Sequence, residues 1–299
     1  MFLNFPIFIR ILIITLSIST IVFLKFKTTT QKSSYLYQFS SNQVWIRYLA
    51  SYGNPIFDSQ YIGWKGTFQR ETYDPPSQLK AILRPASGLY SSHDPSLLDF
   101  HCSILKNVGV DTIVVDWWGK DRVTETDFNA SFVDDSIPLI LNATSKNELK
   151  FAILINKYVN ITFSTLSEDI QIIRRNFFAH NFQRIQGKPV ILISSSHEIK
   201  NICQTIQENS DIFFIALVSE KLEYISALED GFSGIIPSFP SENAFWSSTP
   251  AEWNSIIDES NKRGILFIPS VGPGFDDHEQ FHWGNSPNRN RENGKVYKR

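Results

Sequence analysis

Seven short apolar runs punctuate the chain from residue 43 onward, and most of them do not alternate. They are Val44–Ala50, Thr112–Trp118, Lys150–Ile155, Pro189–Ser194, Ile212–Val218, Gly234–Pro237 and Ile265–Ser270. A strand with one wet face alternates apolar and polar residues with period two. A strand covered on both faces reads as a continuous apolar run, as in a parallel sheet. Between the runs lie stretches of helical spacing: Asp94–Asn107, Thr165–Phe178, Glu198–Glu208, Glu220–Glu229 and Pro250–Lys262. Asp94 before Pro95 and Thr249 before Pro250 suit helix starts. Gly109, Gly231 and Gly264 each fall between a helix and the next strand, where a left-handed C-terminal cap belongs.

Strand–helix alternation of this kind predicts an α/β fold with a parallel sheet. The expected architecture is a (β/α)8 barrel with seven of its eight strands present. Such a barrel takes about 250 residues, and residues 43–299 supply that length. A doubly wound open sheet is the alternative. It would carry a Gly-rich dinucleotide loop after the first strand, and Ser51–Phe57 (SYGNPIF) is not G-x-G-x-x-G.

Upstream of the barrel region, Phe5–Leu24 is a run of twenty residues with one charge, Arg10. A helix of that length spans about 30 Å, the hydrocarbon thickness of a bilayer. A cleaved signal peptide is the rival, but no small-x-small cleavage site follows the run. The expected organisation is a transmembrane signal-anchor at 5–24, a polar stem at 25–42 and a barrel domain at 43–299. The lipid bilayer is thus an expected partner. Three sequons, at Asn129, Asn142 and Asn160, suit a lumenal domain.

Composition removes some functions. A net charge of −2 argues against a general nucleic-acid binder, which would need a basic face. The two cysteines, Cys102 and Cys203, form no C-x-x-C pair, so neither a zinc ribbon nor a thioredoxin motif can be read. No metal ligand set and no cofactor motif are evident. Seven tryptophans hint at ring-shaped ligands such as sugars, whose C–H faces stack on indole.

In a barrel, the residues just past the carboxyl ends of the strands face the active site. Those positions hold Tyr52, Gly53 and Asn54; Asp116, Trp117 and Trp118; Asn156, Lys157 and Tyr158; Ser195, Ser196 and His197; Ser219 and Glu220; Ser238; and Gly272, Pro273 and Gly274 with Asp276 and Asp277. Asp116 is a candidate acid or ligand. The run Asp276–Glu279 reads as a metal or acid/base patch or as a solvated loop. Arg289 and Arg291 read as ligand-holding cations or as surface charge.

Several of these stretches resemble one family in content and spacing: Ser51–Trp64, Leu89–Gly119, Gly231–Phe239, Phe267–Asp277 and Asn288–Tyr297. Together they are similar to the glycoprotein endo-α-1,2-mannosidases, family 99 of the glycoside hydrolases, over nearly all of residues 45–299. The resemblance implies a (β/α)8 barrel on a Golgi signal-anchor, single-pass type II, with the domain in the lumen. It implies cleavage of an internal α-1,2-mannosidic bond in N-linked high-mannose glycans with retention of configuration. One Glu would assist attack by the sugar's own 2-hydroxyl and a second, its pKa raised, would act as general acid.

The family carries that pair in an Asn-Glu-Trp-His-Glu segment on the eighth strand. No such segment occurs in these 299 residues. The catalytic residues are therefore unassigned, and an incomplete chain or a membrane-anchored carbohydrate-binding pseudoenzyme are both open. Other positions depart from the family pattern. Asn156 stands for a carboxylate that helps bind the mannose, Ile236-Pro237-Ser238 stands for Tyr-Thr-Tyr, and Asp116-Trp117-Trp118 for Ser-Trp-Tyr. The resemblance implies sugar contacts from Tyr52, Asp116, Trp117, Asn156, Gly272, Pro273, Gly274 and Arg289, with the Trp117 indole stacked on a sugar face.

Overall fold

The computed structural model describes residues 43–64, 66–68, 71–79, 84–122, 130–238 and 250–272. The expected anchor, the stem, Pro273, Gly274, Arg289, Arg291 and the Asp276–Glu279 run lie outside them. No helix among the described residues is long and apolar enough to cross a membrane.

Among the described residues, seven parallel strands form the path of one sheet, with a two-residue strand, Arg184–Ile185, paired antiparallel at its side. The seven are β1 (Trp45–Tyr48), β2 (Thr112–Trp117), β3 (Lys150–Ile155), β4 (Lys188–Ser194), β5 (Phe213–Val218), β6 (Gly234–Pro237) and β7 (Leu266–Phe267). Each pairs with the next, so the order across the sheet is the order along the chain. A doubly wound sheet reverses that order at its switch point. Here it never reverses, which is the barrel arrangement. The seven expected runs are the seven strands. Six helices connect them: α1 (Pro95–Asn107), α2 (Ala130–Lys146), α3 (Phe163–Asn176), α4 (Ile202–Glu208), α5 (Lys221–Asp230) and α6 (Pro250–Arg263).

Strand register sorts the side chains into layers. Asp116 pairs with Leu154, Leu154 with Leu192, Leu192 with Ile215, and Ile215 with Gly234, which pairs with Leu266. These residues share one face of the sheet. The other face carries Ile113, Val115, Phe151, Ile153, Ile191, Ile193, Phe214, Ala216 and Ile235, all buried. Continuous apolar strands are the consequence of covering both faces.

Local chemistry sets the helix ends. Asp94 accepts a hydrogen bond from the Ser96 N–H, with Pro95 at the first helical position of α1. Thr162 and Thr165 form a reciprocal capping box at the start of α3. Gly231 closes α5 at φ 90°, in the left-handed region glycine enters without strain.

Two helices differ from expectation. The stretch Glu198–Glu208 is not one helix: a 3-10 turn at Ser196–Glu198 precedes α4, and Asn201 between them sits at φ 62°. A left-handed residue breaks the i to i−4 ladder, and asparagine tolerates that conformation better than most. The second helix, α2, escapes a propensity reading altogether. Its sequence holds Pro138 and the weak formers Ser136, Asn142 and Thr144. Its stability comes from a buried stripe, Val133, Ile137, Ile140 and Thr144, packed against the sheet.

His101 on α1 makes the fold acid-sensitive. It is buried, and its Nδ1 lies 2.9 Å from the Tyr48 hydroxyl. Burial lowers its pKa to about 4. Between that value and the ordinary one near 6.5, the unfolded chain binds the extra proton and the folded chain does not. Stability therefore rises with pH across this window. Lowering the pH from about 7 to 4 should cost up to about 3 kcal/mol through this residue alone. Urea unfolding of wild type and His101→Gln at several pH values checks it. A His101→Gln slope as steep as wild type would refute the assignment.

Candidate functional site

The carboxyl ends of the strands converge on a polar inner rim. Arg47 on β1 pairs in register with Val114, one step along β2 from the layer of Asp116. Its Nε donates to both carboxylate oxygens of Asp116, at 2.8 and 3.0 Å. Asp116 is 4% exposed. Both of its oxygens accept from the guanidinium, so it serves as an anchored acceptor.

Two residues beyond Leu154 on the same face comes Asn156. Its backbone N–H donates to the Trp117 carbonyl at 2.7 Å. Its side chain is buried, and among the described residues the amide nitrogen makes no hydrogen bond. An unmade buried hydrogen bond costs about 1–3 kcal/mol. A ligand oxygen at this point would recover that cost.

Hydroxyls continue the rim. Ser194 accepts from the Lys157 N–H at 3.2 Å. Ser238 and Ser270, past β6 and β7, are both buried, and Ser270 donates to the Pro237 carbonyl at 2.5 Å. The loops behind this rim are tied by polar contacts. Lys157 pairs with Glu198 at 2.6 Å, and His197 Nδ1 lies 3.5 Å from Glu223. Glu223 also accepts from the Ser219 N–H. These contacts join the loops after β3, β4 and β5. Among the described residues, no three His, Cys, Asp or Glu side chains are placed to hold a metal ion.

Trp117 lies elsewhere. It follows Asp116 by one residue, so it points to the opposite face of the sheet. It is 0% exposed, and its indole N–H donates to Asp134 of α2 at 2.5 Å. Phe177 packs edge-on against it, ring centres 6.4 Å apart. The stacking role expected of this indole does not fit a residue sealed between sheet and helices. Period two places Trp118, half-buried, on the side of Asp116.

Tyr52 is also enclosed. It packs against Trp64 at 4.4 Å and Tyr90 at 5.6 Å in an aromatic cluster beyond β1. Burial, with Tyr90 second, holds its phenol pKa well above the ordinary value. It shapes the loop wall rather than presenting a free hydroxyl. Gly272 is buried at the end of the described part of the seventh βα connection. Of the eight expected contacts, the structure brings Asp116 and Asn156 together on the inner face.

The loop that follows Trp118 is held from below. Gly119 has φ 78°, and a Cβ there would lie 2.5 Å from an Asp169 oxygen. Asp169 on α3 accepts from the Tyr158 hydroxyl at 2.6 Å, the Lys120 N–H at 3.2 Å and Arg122 at 3.3 Å. Burial raises the pKa of both Asp169 and Asp134 despite these donors.

Sequence reasoning passed over Arg47, Ser194 and Ser270, and it left Trp118 and Ser238 unselected. The available signal was parity. Stepping back by two from each strand end selects one face, whereas reading the end as a block mixes both.

A family profile described as glycosyl hydrolase family 99 matches residues 40–299. The chain is 28% identical over 279 residues to the mouse glycoprotein endo-alpha-1,2-mannosidase, covering 84% of this chain and 60% of that protein. The Xenopus laevis protein of the same name is 30% identical over 281 residues, covering 84% and 62%. A solved structure, the GH99 endo-alpha-mannosidase from Bacteroides thetaiotaomicron, superposes with a TM-score of 0.73 at 28% identity. That match covers 84% of this chain and 77% of the bacterial one. The chain spans about 60% of the length of the curated relatives it matches.

Proposed function

Since the chain belongs to glycosyl hydrolase family 99, we propose that its barrel mouth recognises mannose-rich N-linked glycans in the manner of an endo-α-1,2-mannosidase. The observation that carries this reading is Asn156. Among the described residues its buried amide nitrogen makes no hydrogen bond, and strand parity puts it on the face that also carries Asp116, Ser194, Ser238 and Ser270. An anchored carboxylate, an amide and hydroxyls suit the vicinal hydroxyls of a pyranose.

We further propose that these 299 residues bind without hydrolysing. A retaining glycosidase places two carboxyl groups at the scissile bond. Among the described residues, the inner layers hold Asp116, already paired with Arg47, and Asn156, an amide that neither protonates a leaving group nor takes a proton. The binding-only reading and the hydrolase reading share one site and differ in turnover.

One pair of measurements separates them. The full chain is titrated with α-1,2-mannobiose by calorimetry and incubated with a glucosylated high-mannose glycan. The expected result is binding heat, reduced at least tenfold in affinity by Asn156→Ala (about 1.4 kcal/mol), and no released glucosyl-mannose. Disaccharide release would overturn the binding-only reading. An Asn156→Ala chain that binds as tightly as wild type would overturn the site. The apolar run 5–24 supports a membrane anchor, the family resemblance implies a Golgi one with a lumenal domain, and a glycan on the chain would report lumenal entry.

A further inference from the structure

An outer groove separates α2 from α3, on the helix side of the sheet, with Trp117 and Lys120 among its lining. Its volume is about 620 Å³. Its floor is apolar, built from Pro138, Leu141, Ile172 and Phe177. Polar groups edge it, among them Asn176 and His180. Neighbouring barrel helices ordinarily close on each other and bury such a floor.

The wall of this groove carries the sequon Asn142-Ala143-Thr144. Asn142 is exposed. Thr144 is fully buried, donating to the Leu141 carbonyl at 2.9 Å and accepting from the Asn181 amide at 3.0 Å. A glycosyl transferase therefore reaches this sequon on the nascent chain, before α2 packs.

We propose that Asn142 bears an N-linked glycan and that its first sugars lie along this groove. In the transfer, the Asn142 amide nitrogen attacks the anomeric carbon of a polyprenyl-diphosphate-linked oligosaccharide. The C–N bond forms, the C–O bond to the diphosphate breaks, the lipid diphosphate leaves and the transferase takes the amide proton. The eight residue steps from Asp134 to Asn142 run about 12 Å along α2, room for the proximal sugars to lie flat. Their C–H faces would cover Leu141 and Phe177, while their hydroxyls meet Asn176 and His180. The occupant is thus covalently tethered at the rim, which removes most of the entropic cost of holding it there. This inference is independent of whether the barrel mouth binds or cleaves a glycan.

The test uses the full chain, expressed in yeast from its own N-terminal run and recovered from the membrane fraction. Peptide N-glycosidase in heavy-oxygen water marks each formerly glycosylated Asn as labelled Asp. The expected result is label at Asn142 and one fewer glycan on Asn142→Gln. Hydrogen exchange over residues 172–181 should be several-fold faster in folded Asn142→Gln than in the glycosylated parent, while the β4 and β5 core is unchanged. Unlabelled Asn142 in that chain overturns the site, whatever happens at Asn129 or Asn160. Label at Asn142 with unchanged exchange at 172–181 overturns the seating of the glycan.

Discussion

Trp117→Ala should unfold much of the protein rather than merely abolish sugar binding. The indole is fully enclosed between β2 and the helices, touching Phe177 and donating to Asp134. Removing a buried tryptophan costs about 3–5 kcal/mol through lost transfer energy and the cavity left behind. The loss also strips a donor from Asp134, whose carboxylate is already disfavoured by burial. That is a large part of the stability of a domain held by roughly 5–15 kcal/mol. The measurement is the urea midpoint of wild type, Trp117→Ala and Trp117→Phe. Phenylalanine should recover the packing but not the Asp134 bond, and fall between the two. If Trp117→Ala kept its midpoint and lost only mannoside affinity, the indole would have to face the mouth, and the register above would be wrong.

Arg47→Ala should be nearly as damaging. It leaves the Asp116 carboxylate buried, with no guanidinium at 2.8 Å. Breaking a buried pair from one side costs about 3–5 kcal/mol, and the partial exposure of Arg47 argues for the lower end. Arg47→Lys should restore little, because an ammonium at the end of a flexible chain does not stand where the Nε–H now meets both oxygens. The double change Arg47→Met with Asp116→Leu should be markedly more stable than Arg47→Ala, since it removes both charges and keeps the volume. Binding separates stability from function: the double variant should fold and still fail to hold a mannoside. A cost for Arg47→Ala below about 1 kcal/mol would place the pair in solvent and remove Asp116 from the anchored inner rim.

The groove and the mouth make different demands on the same helix. Asp134 and Asn142 lie on one stripe of α2 that looks outward and toward α3. Val133, Ile137 and Ile140 look toward the sheet. This division is invisible in a propensity reading of Ala130–Lys146, where Pro138, Ser136 and Asn142 argue against a helix. Tertiary burial of a single apolar stripe overrides those local costs.

Strand identity was written in the chain because both sheet faces are covered, so each strand had to be apolar along its whole length. Hence seven runs became seven strands, and the absent dinucleotide loop agreed with a sheet whose order never reverses. Family membership was likewise readable in Leu89–Gly119 and Phe267–Asp277. Orientation was not. A continuously apolar strand carries no alternation to say which residue faces the barrel, so Asp116 and Trp117 were indistinguishable as neighbours. Only the register and the Arg47–Asp116 and Trp117–Asp134 contacts assigned them to opposite faces. For the same reason Tyr52 read as a ligand contact, although packing against Trp64 and Tyr90 encloses it. Composition and local pattern decide which segments pair. Which side chains are left facing the ligand depends on contacts between residues far apart in the chain, and these exist only once the sheet has formed.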